Sequence, residues 1–116
     1  MNRKDLRIIK DYCQEFGGIT LSKQGKVITL NSGFMVSIKE HEKVLTISKL
    51  NTRILNKYLK LAISKDGFVG LWLDNGKLYL DISKNIINKQ VAIAYAIEQE
   101  QLAIFDNFNR VCIYTK

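Results

Sequence analysis

The sequence contains no proline, one histidine, one tryptophan and two cysteines in 116 residues. Average usage would give a chain of this length roughly six prolines. With seven glycines and no proline, the composition is neither collagen-like nor that of a linker. At 47% hydrophobic and 25% charged residues it is the composition of one globular domain, not of a disordered chain. No apolar run approaches the about 20 residues of a membrane-spanning helix, so no membrane association is expected. Met1-Asn2-Arg3-Lys4-Asp5 leads into an amphipathic pattern, which does not read as a secretory signal, and a cytoplasmic location is expected. Two cysteines, Cys13 and Cys112, do not make a disulfide scaffold; both lie on apolar patterns and are expected as reduced core thiols.

Catalytic signatures are missing too. There is no G-x-S-x-G elbow, no P-loop and no G-x-G-x-x-G. His41, between Glu40 and Glu42, has no second histidine to form a metal site and reads as a turn residue. Asp74 and Asp106 are explained by turns, so Asp81 is the carboxylate without a local explanation. No cofactor and no metal are expected.

What is present is lysine, isoleucine and asparagine, which make up 14, 15 and 9 residues. The net charge is +7, and all of it lies in residues 1–60, with twelve Lys/Arg against five Asp/Glu; residues 61–116 hold six of each. That asymmetry points to a basic surface facing a polyanion or an acidic partner, although a net charge also serves solubility.

Periodicity predicts a helix over 3–16, with Leu6, Ile9, Cys13 and Phe16 on its apolar stripe and Gly17-Gly18 as its stop. Residues 19–48 read as four short strands of an antiparallel meander, with turns at 23–26, 31–33 and 39–43. Helical period returns over 49–64, with Ser48 as N-cap. Asp74-Asn75-Gly76-Lys77 is the strongest turn signal, because both central residues of a type I′ turn need positive φ. It sets Leu73 opposite Leu78 and Trp72 opposite Tyr79. A helix over 88–100 with Val91, Ala92, Tyr95 and Ala96 inward, and a hairpin across Asn107-Phe108-Asn109, complete the chain. The expected fold is a single α+β domain, residues 1–116, in the order α-ββββ-α-ββ-α-ββ, with three helices against a largely antiparallel sheet.

Two surfaces are candidates for function. Lys49, Arg53, Lys57 and Lys60 fall within a strip about 80° wide on one helix, and no acidic residue occurs from Val44 to Lys65. Like charges at these spacings cost a helix a few tenths of a kcal/mol per pair. The strip, extended by Lys23, Lys26, Arg3 and Arg7, reads as a face for phosphates or an acidic partner, or as a solvated face. The second candidate is the Trp72/Tyr79 side of the hairpin, which also carries Gly70 and Asp81. It is either an aromatic binding patch or, once helices cover the sheet, a second core layer; with three helices to place, coverage is the expectation.

The stretches Gly67–Trp72, Asp74–Ser83 and Gln101–Asp106, with Ser32–Ser37 upstream, resemble small uncharacterised proteins of bacteriophages and bacterial mobile elements. The resemblance implies a bacterial host and action by binding host defence machinery, as anti-CRISPR proteins do, and it brings no active site. The expectation is therefore a non-enzymatic inhibitor that contacts a host protein or nucleoprotein complex through the basic helix face. Direct DNA or RNA binding is the alternative, and a small metal-dependent hydrolase or nuclease around Asp81 the third reading.

Overall fold

The computed structural model describes residues 1–115. Its elements are α1 (Arg3–Phe16), β1 (Gly18–Leu21), β2 (Val27–Ile28), β3 (Phe34–Ser37), β4 (Lys43–Thr46), α2 (Thr52–Lys65), β5 (Phe68–Asp74), β6 (Lys77–Ile86), α3 (Lys89–Glu98), β7 (Ala103–Asp106) and β8 (Val111–Tyr114). This is an α+β fold in the expected order. Each helix opens on an asparagine whose side chain accepts an amide proton two or three residues into the helix: Asn2 from Asp5, Asn51 from Ile54 and Asn88 from Val91. Asn51 therefore caps α2 in place of Ser48. Ile47–Lys49 form a separate 3-10 turn and Leu50 is extended, which takes Lys49 off the helix.

The β5–β6 hairpin has the expected register, from Asp74 opposite Lys77 to Phe68 opposite Ser83. Asn75 and Gly76 have φ of 50° and 76°, as a type I′ turn requires. β6 is the longest strand, at ten residues, and it organises the sheet. One edge carries β5. The other carries β4 along Lys77–Leu80 and β3 along Ser83–Ile86. β3 and β4 thus run in the same direction along one edge, and residues 38–42 leave the ladder opposite Asp81 and Ile82, with the Ile38 amide still donating to the Ile82 carbonyl at 2.8 Å. The charged segment expected to reverse the chain does not reverse it, because β6 is long enough to pair both strands in line. The meander breaks at 31–33 as well. The sheet order is β2-β1-β5-β6-β3-β7-β8, so β2 and β3 lie on opposite sides of the central hairpin. Asn107 and Asn85 anchor the crossing, both donating to the Ser32 carbonyl, at 3.0 and 3.2 Å.

All three helices pack on the same face. Leu21, Val69, Leu71, Leu78, Leu80 and Ile82 meet Ile9 and Cys13 of α1 and Leu55, Tyr58, Leu59 and Ala62 of α2. Val36 and Ile104 meet Ala92 and Ala96 of α3, where small side chains let helix and sheet approach closely. Because side chains alternate along a strand, the residues between these point to the other face. No described helix covers that face, so the expected second core layer is absent. Two residues expected inward lie outside: Phe16 of α1 is 67% exposed, and Val91 is exposed on the outer side of α3; Ile8 and Tyr12, which widen the apolar stripe of α1, are exposed as well. Cys13 is buried in the core, which pushes its thiol up to about 11. Cys112 is exposed on the opposite face, so only one of the two is a core thiol and both are free. Among the described residues no helix is long and apolar enough to cross a membrane.

Candidate binding surfaces

The uncovered sheet face is a groove of about 770 Å³. Its floor is made of cross-strand rows. Gly18, Trp72 and Tyr79 form one row across β1, β5 and β6; Thr20, Gly70 and Asp81 form the next. Met35 and Ser37 of β3, Phe105 of β7 and Cys112 of β8 continue it. Tyr12 and Phe16 of α1 rise at one side, their rings 5.6 Å apart and tilted by 41°. At the other side the Arg110 guanidinium lies over the Phe105 ring, 5.1 Å from its centre.

Two glycines shape the floor. A Cβ at Gly18 would come within 2.8 Å of the Trp72 ring, and one at Gly70 within 2.3 Å of an Asp81 carboxylate oxygen. Trp72 and Asp81 therefore lie across the neighbouring strands in space that only glycine leaves free. Trp72 rests on backbone beneath and remains 60% exposed.

Asp81 is the polar centre of the groove. The Ser37 hydroxyl donates to its Oδ2 at 2.7 Å, and the Ser83 hydroxyl lies 3.4 Å from that of Ser37. Burial pushes the Asp81 carboxyl above the usual carboxylate range; the nearby Glu42 charge adds to this, and the Ser37 and Ser83 hydroxyls and the Gly70 amide partly offset it. Glu42 arrives through the loop at 38–42, which Tyr58 pins from the helical side by donating its hydroxyl proton to the His41 carbonyl at 2.7 Å. His41 keeps its expected place in a loop, and its backbone carbonyl is what the fold uses.

The raised Asp81 pKa has a thermodynamic sign. A folded-state pKa above the unfolded value supports folding in acid, and the support is lost as pH rises through it. Asp81→Asn is therefore expected to melt no lower than the native protein at neutral pH. Its advantage should shrink in acid, below the ordinary carboxylate pKa of about 4. Melting curves at the two pH values check this; a large loss of stability at neutral pH would show that the ionised carboxylate holds the fold.

The basic strip occupies the outer side of α2, among the helices and away from the groove. Arg53, Lys57 and Lys60 are exposed and span about 60° of the helix. With Thr52, Asn56, Leu61 and Ser64 they line a shallow depression of about 760 Å³. Ion pairs among the described residues are Lys23–Asp66 and Lys39–Glu100, so the three strip cations have no acidic partner there. Lys49 lies outside the helix on the 3-10 turn. Lys23 is engaged with Asp66 and holds that carboxyl below its usual range. Lys26 is exposed on the β1–β2 turn, and Arg3 and Arg7 are exposed on α1. Of the predicted site residues, the helix therefore gathers three.

Asp106 is occupied in its own turn, accepting from the Phe108 and Asn109 amides and from the Asn109 side chain at 2.8–3.1 Å, contacts that lower its pKa. Among the described residues no group of three or more His, Cys, Asp or Glu gathers as a metal site would require. Sequence reasoning found Trp72, Tyr79, Gly70 and Asp81 but missed Ser37 and Glu42, 44 and 39 positions away, Ser37 in an expected strand and Glu42 in the turn expected at 39–43. It also missed Tyr12 and Phe16 as groove residues. The signal available for those two was an apolar stripe on α1 wider than one buried face needs. No protein family, curated protein or solved structure matches the chain.

Proposed function

We propose that the protein is a non-enzymatic binding protein that engages a protein partner through the open face of its sheet. The observation that carries this reading is the exposure of Trp72 in an apolar groove whose floor is held open by Gly18 and Gly70. Aromatic residues in such concavities dominate protein interfaces. The groove charges, Asp81 and Glu42 inside and Arg110 at the rim, suit a neutral or basic polypeptide segment and oppose a phosphate chain. The resemblance to phage and mobile-element proteins makes a component of a host defence complex the partner to look for first. Trp72 is the chain's single tryptophan, so its emission reports on the groove alone. A partner captured from a bacterial host and titrated onto the protein should shift that emission to the blue. Saturating partner with unchanged emission would overturn the reading.

A second reading rests on the unpaired cations of α2: direct contact with nucleic acid, or with the nucleic acid inside such a complex. Here Lys57→Glu is decisive. It places opposite charges at i−4 and i+3, relative to Arg53 and Lys60, and should stabilise the helix by a few tenths of a kcal/mol per pair. If the strip tracks phosphates, the same change should weaken binding for all sequences and lower the salt dependence by at least about one phosphate contact. Gel-shift titrations at two salt concentrations, with a thermal melt alongside, read both effects. Unchanged affinity would make the strip a solvated face.

A further inference from the structure

The open face of the sheet is the acidic place on a basic chain. Eighteen Lys and Arg give the protein a net charge of +7. Among the described residues, however, the charged side chains lining the groove are Asp81, Glu42 and Arg110. Arg110 is turned onto the Phe105 ring. The ion pairs among the described residues are Lys23–Asp66 and Lys39–Glu100, so neither groove carboxylate is paired with a cation of its own chain. Asp81 is also held in place. Its carboxylate lies across Gly70, where a side chain would collide with it, and it accepts from the Ser37 hydroxyl and the Gly70 amide. Those two bonds use about half of the roughly four acceptor sites of a carboxylate. Gly70 and Trp72 are neighbours on the same face of β5, about 7 Å apart along the strand. The fixed acid therefore stands beside an exposed indole.

We propose, resting on the groove as the partner-binding face, that it takes an extended polypeptide segment presenting one arginine, whose guanidinium lies against the Trp72 ring and donates to Asp81, with Glu42 balancing its charge. Charge complementarity selects a cation: two carboxylates without a cation of their own face a site that a phosphate or an acidic segment would enter at a penalty. The neighbouring ring selects arginine among cations. A guanidinium is planar and weakly hydrated, stacks on aromatic faces and still offers in-plane donors to a carboxylate, whereas an ammonium is compact and strongly hydrated. A cation within about 6 Å of an indole centre gains from the ring as well as from the acid. The size of the groove selects a polypeptide over free arginine. One side chain fills only part of about 770 Å³, and the floor continues from Phe16 and Trp72 to Phe105 and Cys112, where apolar neighbours of the arginine would lie. In this arrangement Trp72 and Asp81 act as a pair, and Gly70 is the position that lets them come together.

A blocked peptide, Ala-Leu-Arg-Leu-Ala, titrated onto the full chain with Trp72 emission as readout, tests this against the same peptide carrying citrulline, the neutral isostere, in place of arginine. The arginine peptide should bind about ten-fold more tightly at low salt, with the difference shrinking as salt is raised. Asp81→Asn keeps an acceptor for Ser37 and should remove the preference. Glu42→Gln, on an exposed loop remote from the core, should reduce it by about three-fold. Glu98→Gln, on the helix side of the sheet, should leave it intact. Equal affinity for the two peptides overturns the proposal, as does a preference that survives both Asp81→Asn and Glu42→Gln. Tighter binding of the corresponding lysine peptide overturns the arginine. Silence of the emission toward every peptide up to about 10 mM overturns the proposal as well. So does emission that shifts with the concentration of the protein alone, which would put a second copy in the groove. A captured partner that shifts the emission and binds native and Asp81→Asn protein equally would leave the groove as the binding face and remove the arginine. A partner that saturates without any shift removes the face and the arginine with it.

Discussion

Trp72→Ala is expected to reduce partner affinity by roughly a hundred-fold, about 3 kcal/mol, while shifting folding stability by no more than about 1 kcal/mol. The two magnitudes differ because of where the side chain lies. It is 60% exposed, so most of its surface stays in water on folding. Its contacts within the chain are with backbone at Gly18 and with Tyr79 across the hairpin, and a cross-strand pair of this kind contributes at most about 1 kcal/mol. A partner that covers the groove would bury the rest of the indole, and central aromatic side chains are the ones whose truncation costs most. Ile63, similarly exposed on the outer side of α2, supplies the control: Ile63→Ala removes exposed apolar surface away from the groove and should leave affinity unchanged. Affinity measured by calorimetry for the native protein and the two variants separates the cases. Equal affinity for Trp72→Ala and native protein would remove the groove from the function.

Local signals were read reliably where one strong signal acted alone. The β5–β6 register followed from Asn75-Gly76, because two successive positive-φ residues admit one common hairpin turn. The bounds of α1 followed from its stripe and from Gly17. The start of α2 was misplaced because two residues could cap it. Ser48 and Asn51 are both good caps, and the choice fell to Asn51 because the preceding segment closes its own 3-10 turn, with the Leu50 amide donating to the Ile47 carbonyl. Non-local pairing was harder to read. Nothing in residues 34–46 says that they form one interrupted strand along β6, since this depends on β6 continuing to Ile86. That same interruption delivers Glu42 to Asp81, so half of the polar centre of the groove was out of reach of sequence reasoning. Coverage of the sheet was misjudged for a related reason. Three helices suffice to cover both faces of a sheet this size, and the sequence does not say that all of them return to the same side.

The alternation of β6 separates stability from recognition within one strand. Leu78, Leu80 and Ile82 face the helices and are fully buried; Tyr79, Asp81 and Ser83 face the groove. Leu80→Ala removes a side chain from the centre of the helix-covered core, with β4 on one side of its strand and β5 on the other. Such truncations cost about 2–5 kcal/mol, because the cavity adds to the lost transfer energy. Domains of this size hold about 5–15 kcal/mol in all. Leu80→Ala is therefore expected to lose a large fraction of the total and to lower the midpoint of urea unfolding without changing its slope. The groove residues are untouched, so the folded fraction should bind the partner as tightly as the native protein does. Trp72→Ala should show the reverse: a near-native midpoint with affinity lost. If Leu80→Ala weakened binding by the folded fraction as much as Trp72→Ala does, the groove would be plastic, its geometry set by core packing and not by the rigid rows of Gly18, Trp72 and Tyr79. If instead the effects separate, the two faces of β6 act independently, and each residue from Leu78 to Ser83 can be assigned to stability or to recognition by its parity alone.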